Sequence, residues 1–258
     1  MKILNIIKQA TKIKRARVIY NKIIRRIIKI VYGRNDSKVK SLTEEELTDW
    51  RLYCKNVDEK IYNESTEFED KVKERSDRVL SAVDVELGGG GNYVFLYFLT
   101  RLTEPSCVVE TGVAAGFSSC AFLEAMSKNG KGHLYSSDFP YFRLENPEKY
   151  IGILVDEDVK DRWSLFMEGD KNNIPKIKRE IDKIDILHYD SDKSYEGREY
   201  AISSLKNKLK QDSIVIYDDI MNNNHFYDMY KSLDKKCNIF KFEGKYVGVL
   251  GNIRNKIE

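Results

Sequence analysis

From residue 107 onward, short runs of β-branched and aromatic residues alternate with stretches of helical spacing. Repeated strand–helix–strand units predict a parallel sheet covered by helices on both faces. We therefore expect an α/β fold with a doubly wound sheet. The expected strands are 107–111, 133–137, 163–167, 184–189 and 214–217, and the expected helices are 117–128, 173–183 and 195–210.

Two further apolar runs follow these units. Residues 238–242 and 246–250, joined by Glu243-Gly244-Lys245, predict an antiparallel hairpin at the sheet edge. Ahead of the sheet, the sequence predicts a highly charged helix over about 59–85 and a buried apolar helix over 93–102. The tetrad Thr43-Glu44-Glu45-Glu46 has the form of a capping box, which predicts that a helix begins there.

Four consecutive glycines, residues 88–91, follow the charged helix. Because no side chain fixes the backbone, a hinge or boundary is the first interpretation. A phosphate cradle is the alternative, although no predicted strand leads into the glycines and no Lys-Ser/Thr pair follows them.

The charge is unevenly distributed. Residues 1–40 hold 13 Lys and Arg and one acid, giving 13 − 1 = +12, so the remainder carries 3 − 12 = −9. The isoleucines of this segment follow a helical period, which predicts a basic amphipathic helix ending near Gly33. Its apolar face has two candidate partners: the rest of the fold or a second subunit of a homo-oligomer, and an anionic membrane surface bound through residues 1–33.

Composition narrows the class of protein. Four scattered cysteines and three histidines favour neither a disulfide framework nor a structural zinc site, and no run of eighteen apolar residues is present. We expect a cytoplasmic protein, peripheral on the inner face of the membrane if residues 1–33 bind there. No nucleic-acid partner is expected, because the part predicted to fold into the sheet is acidic.

Acids and glycines follow the predicted strands. In an open α/β sheet, ligands bind beyond the carboxyl ends of the strands. Glu110-Thr111-Gly112 and Gly116-Phe117-Ser118 frame a turn where the backbone can approach a ligand, and Asp138 and Asp170 follow the next two strands. The G-x-x-x-G spacing differs from both the dinucleotide and the phosphate-loop fingerprints.

Four segments occur in the order ETGVAAGFSS, SSDFP, DILHYDSDKSYEG and IVIYDDI. Together they resemble the motifs of class I S-adenosylmethionine-dependent methyltransferases, most of all those of macrocin-type sugar O-methyltransferases. The resemblance covers roughly residues 92–250. It implies a Rossmann-like domain that binds S-adenosylmethionine near the ends of the first three strands. The implied cofactor contacts are Glu110, Gly112, Gly116 and Ser118 at the methionine part, Asp138 at the ribose and Asp170 near the adenine.

The chain is accordingly divided into a basic amphipathic helix at 1–40, a helical segment with the glycine hinge at 41–91, and a Rossmann-like methyltransferase domain at 92–258. Acids also follow the fourth and fifth strands of that domain. The resemblance implies that Asp190, Asp218 and Asp219 bind Mg²⁺ or a similar divalent ion, and oxygen-only ligand sets suit such ions. The alternative is that these acids cap the following helices.

The sequence departs from the resembling family at Lys193, where many relatives carry a histidine that could serve as general base. A protonated lysine cannot accept a proton. We therefore predict that Asp192 is the catalytic base and that Lys193 orients Asp192 or offsets charge at the acceptor. His133 and His188 are predicted to be core residues, and His225 a loop residue that is solvated or touches the acceptor.

The sequence thus predicts a metal-assisted O-methyltransferase whose acceptor is a hydroxyl of a sugar or another small molecule. Two alternatives stay open: a methyltransferase of catechol-like acceptors, and a non-catalytic membrane-surface scaffold with a methyltransferase fold.

Overall fold

The computed structural model of the protein describes residues 36–83, 87, 90–141, 144–233 and 235–253. The predicted basic helix of residues 1–40 therefore lies outside the described residues except for its last five positions. Within the described chain, one eight-stranded sheet has the order β1-β7-β8-β6-β5-β2-β3-β4. The strands are β1 (Leu47–Thr48), β2 (Cys107–Thr111), β3 (His133–Ser137), β4 (Trp163–Phe166), β5 (Ile184–Tyr189), β6 (Leu209–Tyr217), β7 (Cys237–Phe242) and β8 (Lys245–Leu250).

Helices precede the sheet and connect its strands. In chain order the described α-helices are α1 (Ser37–Glu46), α2 (Trp50–Val57), α3 (Glu59–Leu80), α4 (Tyr93–Thr103), α5 (Phe117–Asn129), α6 (Asp170–Glu180), α7 (Tyr195–Leu205) and α8 (His225–Leu233). At the first turn of α1, Asn224 Oδ1 accepts hydrogen bonds from the backbone N–H groups of Lys38 and Val39, each 3.1 Å long. The loop before α8 thus fixes the start of the described chain.

The winding of the sheet confirms the predicted doubly wound α/β class. From β2 the chain runs outward through β3 to β4, then crosses to β5 on the other side of β2 and continues to β6, with all these neighbours parallel. The direction of winding therefore reverses between β2 and β5. In such sheets this switch point opens a crevice at the carboxyl ends of the strands, where ligands bind.

Alternating strand residues separate two cores. Val108 and Ile186 point into the core formed with α2 to α5, whereas Val109 and Leu187 point into the core formed with α1, α6, α7 and α8. These side chains are at most 1% exposed. Burial on both faces explains why the central strands read as continuous apolar runs.

Several predicted boundaries are wrong. Thr43 lies inside α1, where its hydroxyl donates to the Val39 carbonyl, and the next helix begins after Asp49, whose carboxylate accepts from the Leu52 N–H. The capping-box prediction is therefore incorrect. Helix α7 ends at Leu205, not at 210, and residues 209–213 extend β6.

The predicted C-terminal hairpin is confirmed, with β7 antiparallel to β8 and β8 antiparallel to β6. It is not the edge of the sheet, because the two-residue β1 pairs with β7 in parallel. None of the described helices is both long enough and apolar enough to span a membrane.

Candidate functional site

The turn after β2 brings its backbone against two neighbouring segments. Gly112 has φ +85°, and a Cβ there would lie 2.6 Å from the Asp190 carbonyl oxygen. Gly116 has φ +100° where α5 begins, and a Cβ there would lie 2.9 Å from the Gly152 Cα. The glycines permit both close contacts, because any side chain would require the neighbouring backbone to move.

The Asp138 carboxylate holds this turn from the end of β3. Its Oδ2 accepts hydrogen bonds from the backbone N–H groups of Val113 (3.1 Å) and Ala114 (2.7 Å), and its Oδ1 accepts from the Phe139 N–H at 2.6 Å. Asp138 is half-buried. The structure therefore brings this acid and the glycine turn together, as the sequence predicted.

Glu110 is fully buried beneath the turn. Its carboxylate accepts hydrogen bonds from the hydroxyls of Ser118, Ser119 and Ser136 at 2.5–2.8 Å, and His188 Nδ1 lies 3.7 Å away. The predicted contacts Glu110 and Ser118 are thus bonded to each other below the turn. This network ties the start of α5 to β2 and β3.

Asp170, the first residue of α6, joins two strand ends. Its Oδ1 accepts from the Ser137 hydroxyl at 2.6 Å, and its Oδ2 accepts from the Ser191 hydroxyl at 2.5 Å. Asn173, which the sequence reasoning did not single out, donates from Nδ2 to the carbonyl oxygens of Asp138 and Phe166 and to the Ser137 hydroxyl. Both residues therefore brace the carboxyl ends of the strands around the switch point.

Asp190, Asp218 and Asp219, here called the acidic trio, converge after β5 and β6. One carboxylate oxygen from each lies within 4.8 Å of the others. Asp218 is only 2% exposed, and burial together with the neighbouring Asp190 raises its pKa above the ordinary value. The predicted grouping of the three acids is thus present.

The ammonium of Lys193 lies among these carboxylates. Its Nζ pairs with Asp190 Oδ1 and lies 3.5 Å from Asp218 Oδ2 and 3.6 Å from Asp219 Oδ2. Burial alone would lower the pKa of Lys193, but the three acids outweigh that effect and raise the pKa above its ordinary value. Lys193 is therefore protonated in this arrangement.

Asp192 is directed to the start of α7. Its Oδ1 accepts from the Ser194 N–H at 3.0 Å, and a Cβ on Gly197 would lie 2.5 Å from its Cγ. Gly197 thus leaves space for this carboxylate. Asp192 lies beside the acidic trio in sequence, but its carboxylate is not part of that group.

Arg198 is a residue of the site that the sequence reasoning missed. It has no exposed surface, and its Nη2 donates to the carbonyl oxygens of Asp218 (3.2 Å) and Asp219 (2.7 Å). This holds Asp219 in a left-handed conformation, with φ +53°. A signal was available, because Arg198 shares helical spacing with the buried Ala201, Ile202 and Leu205.

The glycine run also reaches the site, although Gly88 and Gly89 lie outside the described residues. A Cβ on Gly90 would lie 2.5 Å from the Phe117 Cβ, and one on Gly91 would lie 3.1 Å from Asp218 Oδ1. The absence of a side chain therefore permits close packing at these two positions, and the hinge and phosphate-cradle interpretations of the run stay predictions.

The burial of the three histidines differs in part from the prediction. His188 is buried as expected, whereas His133 is half-buried and bonds to the Ser164 hydroxyl. The prediction for His225 is wrong. It begins α8 with no exposed surface, packs against Tyr195 and Tyr217, and has its pKa lowered by burial to about 4.

Comparison with known proteins finds a family model that matches this region. Residues 109–220 match a family model described as a methyltransferase domain. That region runs from β2 to the residue just after Asp219 and includes every predicted site residue. The match supports the enzyme class predicted from the sequence. Among curated proteins, no sequence matches the chain.

Solved structures share the architecture. The O-methyltransferase of Bacillus cereus in complex with S-adenosylhomocysteine is 12% identical, with 71% of this chain and 91% of that chain covered and a TM-score of 0.56. TomG of Streptomyces achromogenes, involved in tomaymycin synthesis and bound to S-adenosylmethionine, is 14% identical, with coverages of 70% and 89% and a TM-score of 0.55. The chain has the methyltransferase fold.

A Staphylococcus aureus protein described as a candidate caffeoyl-CoA O-methyltransferase extends the comparison. It is 12% identical, with 73% of this chain and 99% of that chain covered and a TM-score of 0.54. The described part of this chain thus contains nearly the whole of that smaller methyltransferase fold. Identities this low show a shared fold and leave acceptor choice open.

We expect Gly112→Ala to lower the free energy of unfolding by about 1–3 kcal/mol, because it adds both backbone strain and a contact with Asp190. Gly130→Ala is the matched control, since Gly130 has φ +68° but a Cβ there would meet no atom within 4 Å. Urea denaturation of both variants measures the difference. Equal losses of stability in the two variants would show that the close approach of Gly112 to Asp190 does not affect the free energy of unfolding.

We expect Arg198→Met to lower the free energy of unfolding by about 1–3 kcal/mol, because the carbonyl oxygens of Asp218 and Asp219 lose a buried donor. Arg198→Lys should fall between it and the wild type, since an ammonium lacks the fork of the guanidinium. Chemical denaturation measures both. A Met variant as stable as the wild type would mean that burying the charge costs as much as its hydrogen bonds contribute.

Proposed function

We propose that the protein is an S-adenosylmethionine-dependent O-methyltransferase. The observation that carries the proposal is the glycine turn at the switch point, held by Asp138, within a region that matches a methyltransferase domain. The crevice there suits a ligand with ribose hydroxyls and a cationic centre, because acids surround it and carboxylates accept from hydroxyls. S-adenosylmethionine supplies the methyl group.

The residues proposed for the cofactor site have different roles: some would contact the cofactor and others would position those that do. Asp138 has a half-buried carboxylate at the turn, which suits a ribose hydroxyl, and Gly112 and Gly116 let backbone approach the methionine part. Asp170 braces the neighbouring strand end, near the proposed adenine position. For Glu110 and Ser118 we propose a positioning role, since their hydrogen bonds are made to each other.

We further propose that the acceptor is a small molecule with a hydroxyl group, and that this hydroxyl belongs to a sugar. The support for the sugar is the sequence resemblance to macrocin-type enzymes. Catechol-like acceptors are the rival, because enzymes for such acceptors can use a similar metal and a pair of neighbouring oxygens. Measuring S-adenosylhomocysteine release against a panel of sugars and a panel of catechols separates the two, and no release with either favours the scaffold alternative.

The acidic trio fits a divalent ion by its donor set. Three carboxylates with oxygens within 4.8 Å of one another match the hard, oxygen-only ligands that Mg²⁺ prefers. We propose that Asp190, Asp218 and Asp219 hold this ion, which would lower the pKa of an acceptor hydroxyl when bound. Arg198 would keep the loop after β6 in place for it.

In the proposed reaction the acceptor oxygen attacks the methyl carbon, the carbon–sulfur bond breaks, and a methyl ether and S-adenosylhomocysteine form. The hydroxyl proton needs an acceptor. Lys193 is protonated among three acids and cannot take it, so we propose that Asp192 does. The crevice contributes chiefly by holding the two reacting atoms in line.

The predictions of a membrane-bound location through residues 1–33 and of a homo-oligomer stay predictions, because that segment lies outside the described residues. Vesicle sedimentation of the full chain with anionic lipids would test the first.

We expect Asp138→Ala to weaken S-adenosylhomocysteine binding at least about tenfold, or about 1.4 kcal/mol, because it removes both the ribose acceptor and the anchor of the turn. Calorimetric titration measures the affinity. Asp182→Ala is the control, since Asp182 is an exposed acid. Unchanged binding in the Asp138 variant would overturn the assigned pocket.

We expect Asp192→Asn to reduce kcat by about 10² to 10⁴ while leaving S-adenosylhomocysteine affinity unchanged. Asparagine keeps an oxygen for the Ser194 N–H, so the start of α7 is preserved and a loss of turnover reports on proton transfer. Steady-state assays with an acceptor found in the panels provide the measurement. A fully active variant would show that Asp192 serves only the helix.

A further inference from the structure

Lys193 occupies the space in which the proposed divalent ion would bind. Its Nζ contacts all three members of the acidic trio, pairing with Asp190 and lying 3.5 Å and 3.6 Å from oxygens of Asp218 and Asp219. A divalent ion held by all three carboxylates would take the space that the ammonium fills. The ammonium and such an ion therefore exclude one another.

The backbone of Lys193 is fixed, whereas its side chain has a route outward. The Lys193 carbonyl oxygen accepts from Asn223 Nδ2 at 2.9 Å, and the next residue, Ser194, caps α7 by accepting from the Gly197 N–H at 3.1 Å. The side chain is 24% exposed. The side chain is therefore not enclosed on every side, and it can leave the trio without a change in the backbone position that these hydrogen bonds fix.

Either the Lys193 ammonium or a divalent ion can balance the negative charge of the acidic trio, so the two cations are alternatives. Three carboxylates this close repel one another unless a cation lies between them. Lys245 is a second ammonium nearby, but it lies at the rim, 3.9 Å from Asp219 Oδ2 with 43% of its side chain exposed. Of these two described lysines, Lys193 is the one that contacts every member of the trio.

We propose that Lys193 is a tethered competitor of the divalent ion. The inference deepens the metal part of the proposed function and rests on it. With Lys193 in the trio, the acids are neutralised without an ion. For an ion to bind, the ammonium would have to leave the trio, so the affinity of the trio for a metal would be set by the balance between the two cations.

The test is a titration of the apo-protein with Mn²⁺, followed by the electron paramagnetic resonance signal of the free ion. We expect Lys193→Met to bind Mn²⁺ at least about tenfold more tightly than the wild type, equivalent to about 1.4 kcal/mol. Lys245→Met is the matched control and should change the affinity much less. Equal or weaker Mn²⁺ binding by the Lys193 variant would overturn the proposal.

A second measurement covers the case in which Lys193→Met is unstable without a cation. Ligands that bind the folded state raise its melting temperature, so added Mn²⁺ should raise Tm more in Lys193→Met than in the wild type. Lys193→Gln should behave in the same way. An equal rise in Tm for the wild type and both variants would contradict competition.

Failure of this inference is distinguishable from failure of the proposed function. Calorimetry with S-adenosylhomocysteine on the same proteins reports the cofactor pocket independently of the trio. Normal cofactor binding with no gain in Mn²⁺ affinity would reject the competitor role alone, whereas absent cofactor binding in the wild type would reject the methyltransferase proposal.

Discussion

The close contact between two backbones at the switch point organises the site. Gly112 lies against the Asp190 carbonyl, and the Asp190 N–H donates to the Thr111 carbonyl at 2.9 Å. The chain leaves β2 and β5 in opposite directions from this contact. The glycine turn and the acidic trio, which belong to opposite halves of the winding, are thereby held next to each other, so a cofactor and an acceptor bound there would meet.

The acids of the site are stabilised in two different ways. Asp138 and Glu110 are surrounded by neutral donors, backbone N–H groups for the first and hydroxyls for the second. The acidic trio is stabilised by ammonium groups instead. Neutral donors fix geometry whatever the ionic composition of the solution, whereas a set of carboxylates balanced by a mobile cation responds to which cations are present. The two groups of acids therefore differ in what balances their charge.

The sequence predicts best those features of the fold that depend on a local pattern of residues, such as the bounds of short strands. The bounds of β2, β3 and β5 agree with the prediction, because these short runs are bounded by turn residues on both sides. It failed where pairing or burial depends on distant residues. Residues 210–213 are polar, and they join β6 across an irregularity in its ladder with β5, where Ile184 pairs with Leu209 and Ile186 with Ile214.

The same reasoning applies to the site. Glycines and acids after strands could be located because the sheet brings strand ends together, so the acidic trio was predictable. The hydrogen bonds of Arg198 to the loop after β6 and the position of the Lys193 ammonium beside Asp218 were not, because each depends on partners far away in sequence. The orientation of Asp192 toward the Ser194 N–H depends on neighbours in sequence, but the pattern of residue types did not indicate it. Side-chain direction is decided by packing that no local spacing encodes.

The bond between Asn224 and the first turn of α1 has a mechanical consequence. Asn224 follows Asn223, which holds the Lys193 carbonyl, and both belong to the loop that continues from Asp219. A force applied to the chain ahead of α1 would therefore act on the two hydrogen bonds that Asn224 accepts. Through them it would act on the loop that continues from Asp219. The start of the described chain is therefore coupled, through one short loop, to the residues that hold Lys193 and Asp219 in place.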